Sequence, residues 1–279
     1  MGRALLRQAD YAKELFGGGV QLVTLARGPS SMPFPHIQAD VRSASWYAPF
    51  CYIIHAAADM PRKGLFDPGV TIDGTQSVLR CAQAHSSKVV LLSSGAVYGP
   101  QPADVAAMSE VHPCVPVTAY GMAKRHAESL CLRSAVNVTI ARLFAFVGPN
   151  LLGKPYAIAN FIDDALAGRP IRVASCGRSV RSYLDQRDLA RHLYTLLARA
   201  PNRTYNVGGR TPYSIMEVAE AVRRVLCPLG GSIDGPVADT SAPPSRYVPN
   251  VDKIFKEFLL PEPLGLLESI AASAMGTRR

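Results

Sequence analysis

Short apolar runs alternate with amphipathic stretches along this chain, and the clearest such pair lies before its midpoint. Val89–Leu92 is a run of branched residues closed by two serines, which is typical of a strand buried on both faces of a parallel sheet. After a proline-rich loop, Ala123, Ala127, Leu130 and Cys131 recur at helical spacing. The pattern predicts a strand, a loop and a helix at the carboxyl edge of a sheet, where α/β proteins bind ligands.

The same alternation extends over the rest of the chain. We predict helices over 3–16, 70–85, 157–167 and 214–226, and strands over 20–25, 52–58, 137–147 and 171–175. The glycines at 17–19 are interpreted as a helix stop rather than a phosphate loop, because they precede a strand instead of following one. This order predicts an α/β fold in which four core positions lie on neighbouring parallel strands covered by helices on both faces: Leu22, Ile54, Leu91 and Ile140.

Composition narrows the class of protein. The 279 residues are 48% hydrophobic and 18% charged, enough for a sizeable core in one large or two small domains. No stretch reaches the ~20 apolar residues of a membrane span, and the start does not resemble a secretory signal, so we expect a cytoplasmic protein without membrane contact. The six cysteines form no metal-like grouping with the histidines, and we expect reduced core residues and no metal.

The net charge of +9 permits nucleic-acid binding, but the basic residues are dispersed singly, so we expect no nucleic-acid partner. A small polyanion is sufficient to explain the charge. The densest basic stretch, 169–191, contains arginines able to hold a pyrophosphate.

The candidate chemistry lies at the start of the predicted helix. Tyr120 and Lys124 are four residues apart and therefore share one helix face. A neighbouring positive charge lowers the pKa of a phenol, so we expect Tyr120 to act as an acid or base near neutral pH, with Ser94 sharing a substrate hydroxyl. An ordinary surface pair is the alternative interpretation of this spacing.

Several sequence motifs together narrow the range of protein families that the chain resembles. Ser93-Ser94-Gly95-Ala96-Val97-Tyr98-Gly99 followed by Tyr120-x-x-x-Lys124 resembles the extended short-chain dehydrogenase/reductase family, which contains nucleotide-sugar epimerases, dehydratases and reductases. His55-Ala56-Ala57 and Tyr205-Asn206-Val207-Gly208 match further motifs of that family. The resemblance implies a doubly wound, Rossmann-like dinucleotide-binding domain over 1–149 and a smaller, mainly substrate-binding α/β part over 150–279. It also implies that Ser94, Tyr120 and Lys124 are catalytic.

The family's cofactor is NAD, with NADP as an alternative. The resemblance implies these cofactor-binding residues besides Tyr120 and Lys124: Gly2, Arg27, Asp40, His55, Ala56 and Ala57. His55 is expected to line the site without proton chemistry. The chain shows neither the family's first strand nor its complete glycine motif, since only Gly2 matches the last glycine, so we expect a sheet missing its first strand and weak dinucleotide binding.

The second half of the chain matches the substrate side of the family. The resemblance implies that Arg181 and Arg246 bind the pyrophosphate of a nucleotide-sugar, while Ala145 replaces an asparagine that helps to hold that substrate in the family. The proline-rich loop over 100–118 is expected either to shape the substrate mouth or to serve only as a connection. We also expect a homodimer.

The expected activity is NAD(P)-dependent epimerisation of a nucleotide-linked sugar through a transient keto intermediate. Dehydratases and decarboxylases of the family carry an added acid or base directly after the Ser/Thr, where this chain has Gly95 and Ala96, which cannot transfer protons. A nucleotide-sugar reductase and a non-catalytic binder of dinucleotide or sugar nucleotide remain alternatives.

Overall fold

The structure, a computed structural model, describes residues 2–59, 65–173, 177–235 and 244–276. The helices are α1 (Gly2–Leu6), α2 (Ala9–Leu15), α3 (Pro68–His85), α4 (Ala119–Leu132), α5 (Ala157–Leu166), α6 (Gln186–Arg199), α7 (Ile215–Leu226), α8 (Asp252–Phe258) and α9 (Leu266–Met275). The strands are β1 (Thr24–Ala26), β2 (His36–Gln38), β3 (Tyr52–His55), β4 (Lys88–Ser94), β5 (Val138–Leu143), β6 (Phe146–Val147), β7 (Ile171–Arg172), β8 (Val180–Ser182), β9 (Leu184–Asp185), β10 (Thr204–Val207), β11 (Pro212–Ser214), β12 (Ile233–Asp234) and β13 (Arg246–Tyr247).

The main sheet is parallel and has the strand order β10-β5-β4-β3. Alternate side chains of the buried β4 point to opposite faces: Val90 and Leu92 pack with α6, whereas Val89 and Leu91 pack with α3 and α4. Helices therefore cover both faces, and the predicted α/β class is confirmed. Ile54, Leu91 and Ile140 lie on neighbouring strands, as predicted.

The prediction for Leu22 is wrong. The first strand begins only at Thr24 and pairs with β2 in a separate two-stranded parallel sheet. The side chains of Leu25 and Ile37 join the apolar cluster under α3, so packing rather than ladder hydrogen bonds holds this pair against the main body. In the part of the chain that the structure describes, β3 pairs only with β4, and its other edge has no strand partner.

The amino-terminal segment is helical as predicted, but it breaks into α1 and α2 at residues 7–8. Gly17 and Gly18 have φ values of 77° and 83°, which confirms the interpretation of the glycines as a helix stop. Both helices pack on α6, on the face of the sheet opposite α4.

A smaller layer is built from α5, α7 and α9 around an apolar cluster that includes Phe161, Ile162 and Val222. The single strand predicted over 137–147 is divided, because β5 stays in the main sheet while β6 pairs with β9. Besides the smaller layer, the chain after 150 contributes the strand β10 to the main sheet and the helix α6 that packs on one face of it. The predicted strand over 171–175 ends at Arg172 among the described residues.

Among the described helices none is both long enough and apolar enough to span a membrane. Five cysteines are described, all of them free thiols; Cys81 and Cys131 are buried as expected, whereas Cys51 is exposed. The prediction for Cys176 lies outside the described residues.

Candidate active site

The candidate catalytic residues come from the strand β4 of the main sheet and the helix α4 that packs on it. Ser94 ends β4, and Tyr120 lies in the first turn of α4, whose amino terminus is capped by the Thr118 side chain. Gly121 permits the close approach of the two elements, since a Cβ there would lie 2.6 Å from the carbonyl oxygen of Ala96. The structure therefore brings Ser94, Tyr120 and the lysine one turn later together, while their catalytic roles stay a prediction.

Lys124 is buried, with 3% of its surface exposed. Its Nζ donates a 2.7 Å hydrogen bond to the carbonyl oxygen of Leu92 and lies 5.9 Å from the centroid of the Tyr120 ring. Burial lowers the pKa of Lys124 from 10.5 to about 8, and the negative charge of Glu128, one turn further along α4, opposes that shift. Lys124 thus presents a desolvated ammonium group beside the phenol.

The expected lowering of the Tyr120 pKa is wrong for this structure. Burial raises the pKa of Tyr120, and a hydrogen bond from Ser94 to the phenolate opposes this only in part. The expectation considered the positive charge of Lys124 but not the desolvation of the Tyr120 phenol, which depends on the groups that pack over the ring. Without a substrate or cofactor, Tyr120 is therefore a neutral phenol at pH 7.

A second phenol, missed by the sequence reasoning, lies at the same point. The hydroxyl of Tyr247 on β13 is 3.3 Å from Ser94 Oγ and donates a 3.2 Å hydrogen bond to the carbonyl oxygen of Leu143. Its ring packs on Phe144, with 4.6 Å between ring centroids. In the sequence, the only indication of Tyr247 was its position directly after Arg246, a candidate for binding the pyrophosphate.

A buried ion pair links α4 to the neighbouring strands β4 and β5. Glu128 on α4 accepts hydrogen bonds from Arg142 on β5 at 2.8 and 2.9 Å and from Ser93 Oγ at 2.6 Å. Arg142 also donates to the Tyr98 hydroxyl at 2.9 Å. The carboxylate therefore links the residue next to Ser94 to the helix that carries Tyr120.

His55 ends β3 in the interior, where its Nε2 lies 3.1 Å from Thr75 Oγ1. Burial, with a smaller contribution from the charge of Lys124, lowers the pKa of His55 to about 3. The imidazole is therefore neutral at physiological pH, in agreement with the expectation that it does no proton chemistry. The small residues Ala56 and Ala57 follow it directly.

The remaining predicted cofactor residues lie outside the strands of the main sheet, after β1, after β2 and at the start of α1. Arg27 and Asp40 follow β1 and β2 and are close enough for the arginine to lower the pKa of the carboxyl. The principal cause, however, is the two-bond ion pair with Arg42, which lowers the Asp40 pKa to about 2. Gly2 is exposed at the start of the five-residue α1. The structure therefore places Arg27 near Asp40.

Two features suit the ribose end of a dinucleotide. In the described part of the chain, Lys124 uses one of its three N–H donors, which leaves two for ribose hydroxyls. The Oγ1 of Thr71, one turn before the Thr75 that contacts His55, is buried and has no hydrogen-bond partner among the described residues. A buried polar atom without a partner is costly unless a ligand satisfies it.

The candidate substrate arginines lie on paired strands. In the parallel β8–β13 pair, Tyr247 is opposite Arg181 and Arg246 is opposite Val180. Burial lowers the pKa of Arg181, whose guanidinium lies 5.9 Å from the Tyr247 ring centroid. The Nε of Arg246 is buried without a hydrogen-bond partner in the described residues. Both arginines retain the means to bind an anion.

Arg181 also lines a cavity of about 300 Å³ between α5, β8 and α7. The cavity is also lined by Asn160, Phe161, Arg172, Ser179 and Ile215. Of the lining residues, only Arg172 and Arg181 belong to the basic stretch identified from the sequence. From this cavity, Arg181, Tyr247, Ser94 and Tyr120 form a continuous series of neighbours.

The chain therefore has a Rossmann-like α/β fold with a Ser-Tyr-Lys cluster at the carboxyl end of β4. Residues 5–208 match the sequence profile of the NAD dependent epimerase/dehydratase family, and the chain belongs to that family. It is similar to UDP-glucuronic acid decarboxylase 1 of Xenopus tropicalis, with 28% identity over 214 residues, 72% of this chain and 50% of the relative. It is also 29% identical over 201 residues to UDP-glucuronic acid decarboxylase 3 of Arabidopsis thaliana, covering 68% of this chain and 57% of that protein.

Solved structures support the fold across nearly the whole chain. A UDP-glucuronic acid 4-epimerase from Bacillus cereus, in complex with UDP-glucuronic acid and NAD, aligns with a TM-score of 0.82 at 18% identity, covering 99% of this chain and 97% of the other. A UDP-glucose 4-epimerase from Thermotoga maritima aligns with a TM-score of 0.82 at 17% identity, covering 97% and 94%. At these identities the likeness concerns the fold.

Proposed function

We propose that this chain epimerises a nucleotide-linked sugar in an NAD- or NADP-dependent reaction that passes through a transient keto intermediate. The supporting observation is the series of neighbours that begins at the cavity and ends at Tyr120. In this arrangement the nucleotide occupies the cavity, Arg181 and Arg246 hold the pyrophosphate, and the sugar reaches Ser94 and Tyr120.

Tyr120, Ser94 and Lys124 each have a separate role in the proposed reaction. Tyr120, as its phenolate, takes the proton of a sugar hydroxyl, and Ser94 orients the same oxygen. Lys124 binds the cofactor ribose, and its charge favours the phenolate. NAD or NADP, when bound, would supply the hydride acceptor for the sugar carbon and the hydride donor for the resulting keto group. Tyr120 then returns the proton, so the substrate leaves with its oxidation state unchanged.

The residues after Ser94 argue against dehydration and decarboxylation. A carboxylic acid at position 95 is sterically excluded, because a Cβ on Gly95 would lie 2.6 Å from Cζ of Phe144. Phe144 is buried between the rings of Tyr98 and Tyr247 and has no free space to withdraw. With Ala96 beside it, neither of the two positions after Ser94 carries the acid or base that those reactions use in the family.

Product analysis tests the proposal. The purified chain is incubated with saturating NAD and, separately, with UDP-glucuronic acid, UDP-glucose and dTDP-glucose. UDP-glucuronic acid is the first substrate to be tested, because the two sequence relatives named above are UDP-glucuronic acid decarboxylases. We expect an epimer of the supplied sugar without net NADH formation. A pentose with released CO₂, or a 4-keto-6-deoxy sugar, would contradict the proposal, and stoichiometric consumption of NAD(P)H would indicate a reductase instead.

A non-catalytic binder is the alternative of a different class, and Tyr120→Phe separates the two. In an enzyme this substitution lowers turnover at least ~100-fold, while the affinity for the sugar nucleotide in calorimetry stays nearly unchanged. The matched control is Tyr194→Phe, which removes a buried phenol that donates to the Leu5 carbonyl on the opposite face of the sheet. If no member of the panel is turned over by the wild type but one binds, the chain is a binder.

A further inference from the structure

Tyr247 joins the substrate side of the molecule to the catalytic serine. It lies on β13, 153 residues from Ser94 in the sequence, yet the two hydroxyl oxygens are 3.3 Å apart. Its other hydrogen-bonding contacts are the Leu143 carbonyl oxygen at 3.2 Å and the backbone amide of Ala96, which can only donate to it. A phenol carries a single proton, so the Tyr247 hydroxyl donates either to Leu143 or to Ser94, but not to both at the same time.

Ser94 faces a corresponding choice. Its Oγ already accepts a 3.2 Å hydrogen bond from the Ala96 backbone amide and can turn its own proton toward Tyr247 or toward Tyr120. When Tyr120 is a phenolate, the favoured arrangement aims every donor at the negative oxygen. Ser94 then donates to Tyr120, and Tyr247 turns its proton from Leu143 to Ser94, because hydrogen bonds in a chain polarise one another.

We propose that Tyr247 is a positioning residue that directs the Ser94 proton toward Tyr120 and so favours the phenolate that begins the reaction. The inference rests on the proposed function for its catalytic consequence. Burial raises the pKa of Tyr247 to about 12, so it remains a proton donor throughout the working range of pH. Packing against Phe144 fixes the ring in this place.

Other charged or phenolic side chains lie near this chain of hydroxyls. They are Lys124 on α4, Tyr98 in the turn after β4, Tyr156 before α5, Arg181 on β8 and Arg246 on β13, and the charge of Lys124 also acts on His55 on β3. Tyr247→Phe leaves all of them in place, so a change in the titration of Tyr120 reports the loss of one hydroxyl.

The test is Tyr247→Phe, with Tyr194→Phe as the control that also loses a buried phenol bonded to a backbone carbonyl. We expect kcat at neutral pH to fall ~3- to 10-fold, with KM unchanged. The deficit should shrink as pH rises, because the apparent pKa of the essential base moves upward. An equal loss at every pH, or a raised KM with normal kcat, would show a merely structural or substrate-binding role.

A second measurement does not depend on turnover. 3,5-Difluorotyrosine incorporated at position 120 lowers the phenol pKa into an accessible range, and its ¹⁹F shift reports ionisation. We expect Tyr247→Phe to raise this pKa in the wild-type background and to have no effect in the Ser94→Ala background, since the coupling passes through Ser94. An unchanged pKa, or the same shift in both backgrounds, would overturn the inference. A wild type without turnover but with the expected ¹⁹F result would overturn only the proposed epimerase.

Discussion

Glu128 and Arg142 form a buried ion pair with two hydrogen bonds, 2.8 and 2.9 Å long, that ties α4 to β5. Glu128 has no exposed surface, and Ser93 donates to the same carboxylate at 2.6 Å. Arg125 donates a further hydrogen bond of 3.0 Å to this carboxylate, and a buried charge with four such bonds fixes the helix against the strand end. The relative position of Ser94 and Tyr120 therefore depends on a carboxylate that contacts neither of them.

Glu128→Gln should destabilise the protein by about 3 kcal/mol, because it leaves the Arg142 guanidinium buried without its counter-charge. Urea unfolding measures this change. The control is Asp164→Asn, whose partner Arg169 is half exposed, and there we expect a loss of no more than about 1 kcal/mol. Equal losses for the two variants would contradict the assignment of Glu128 as the central buried charge.

Lys124→Met should change the pH dependence of stability. The Lys124 pKa is 10.5 in an unfolded chain and about 8 here, so the unfolded state binds more protons between these values. Burying the charged ammonium group costs the folded state roughly 3 kcal/mol for this difference in pKa. The cost is fully present below pH 8 and disappears as pH approaches 10.5. The wild type should therefore gain stability relative to the variant over that interval.

Unfolding in urea at pH 7.5, 9 and 10.5 measures the gain. The control is Lys13→Met, since the Lys13 side chain is 53% exposed, and its difference from the wild type should stay constant across the series. Parallel curves for Lys124→Met and the wild type would mean that the buried ammonium carries no such cost.

Gly95→Ala should destabilise the protein by about 1–3 kcal/mol, because the added methyl group meets the Phe144 ring in a filled core. Thermal unfolding provides the measurement. Gly19→Ala is the control, as nothing lies within 4 Å of a Cβ there, and it should change stability by less than about 0.5 kcal/mol. A neutral Gly95→Ala would remove the steric argument against an acid at this position.

Arg27→Ala should weaken the binding of NADP more than that of NAD, because a guanidinium directly after β1 can pair with a 2′-phosphate. Calorimetric titration of the wild type and the variant with both dinucleotides measures the difference. An equal change in the two affinities would contradict this role for Arg27.

The sequence alone determined the elements whose formation depends on near neighbours in the chain. The buried run of β4 and the helix predicted over 214–226, observed as α7, were both predicted from local patterns. Helical periodicity placed Tyr120 and Lys124 on one face, because residues four apart on a helix are neighbours whatever surrounds them.

Tertiary structure decided what distant parts of the chain bring to those elements. The separate β1–β2 sheet, the turn of Lys124 toward the Leu92 carbonyl and the contact of Tyr247 with Ser94 all depend on packing between segments far apart in the sequence. The same holds for the raised pKa of Tyr120. Desolvation is set by every group that excludes water from the phenol, and a helical repeat specifies only the residues one turn away.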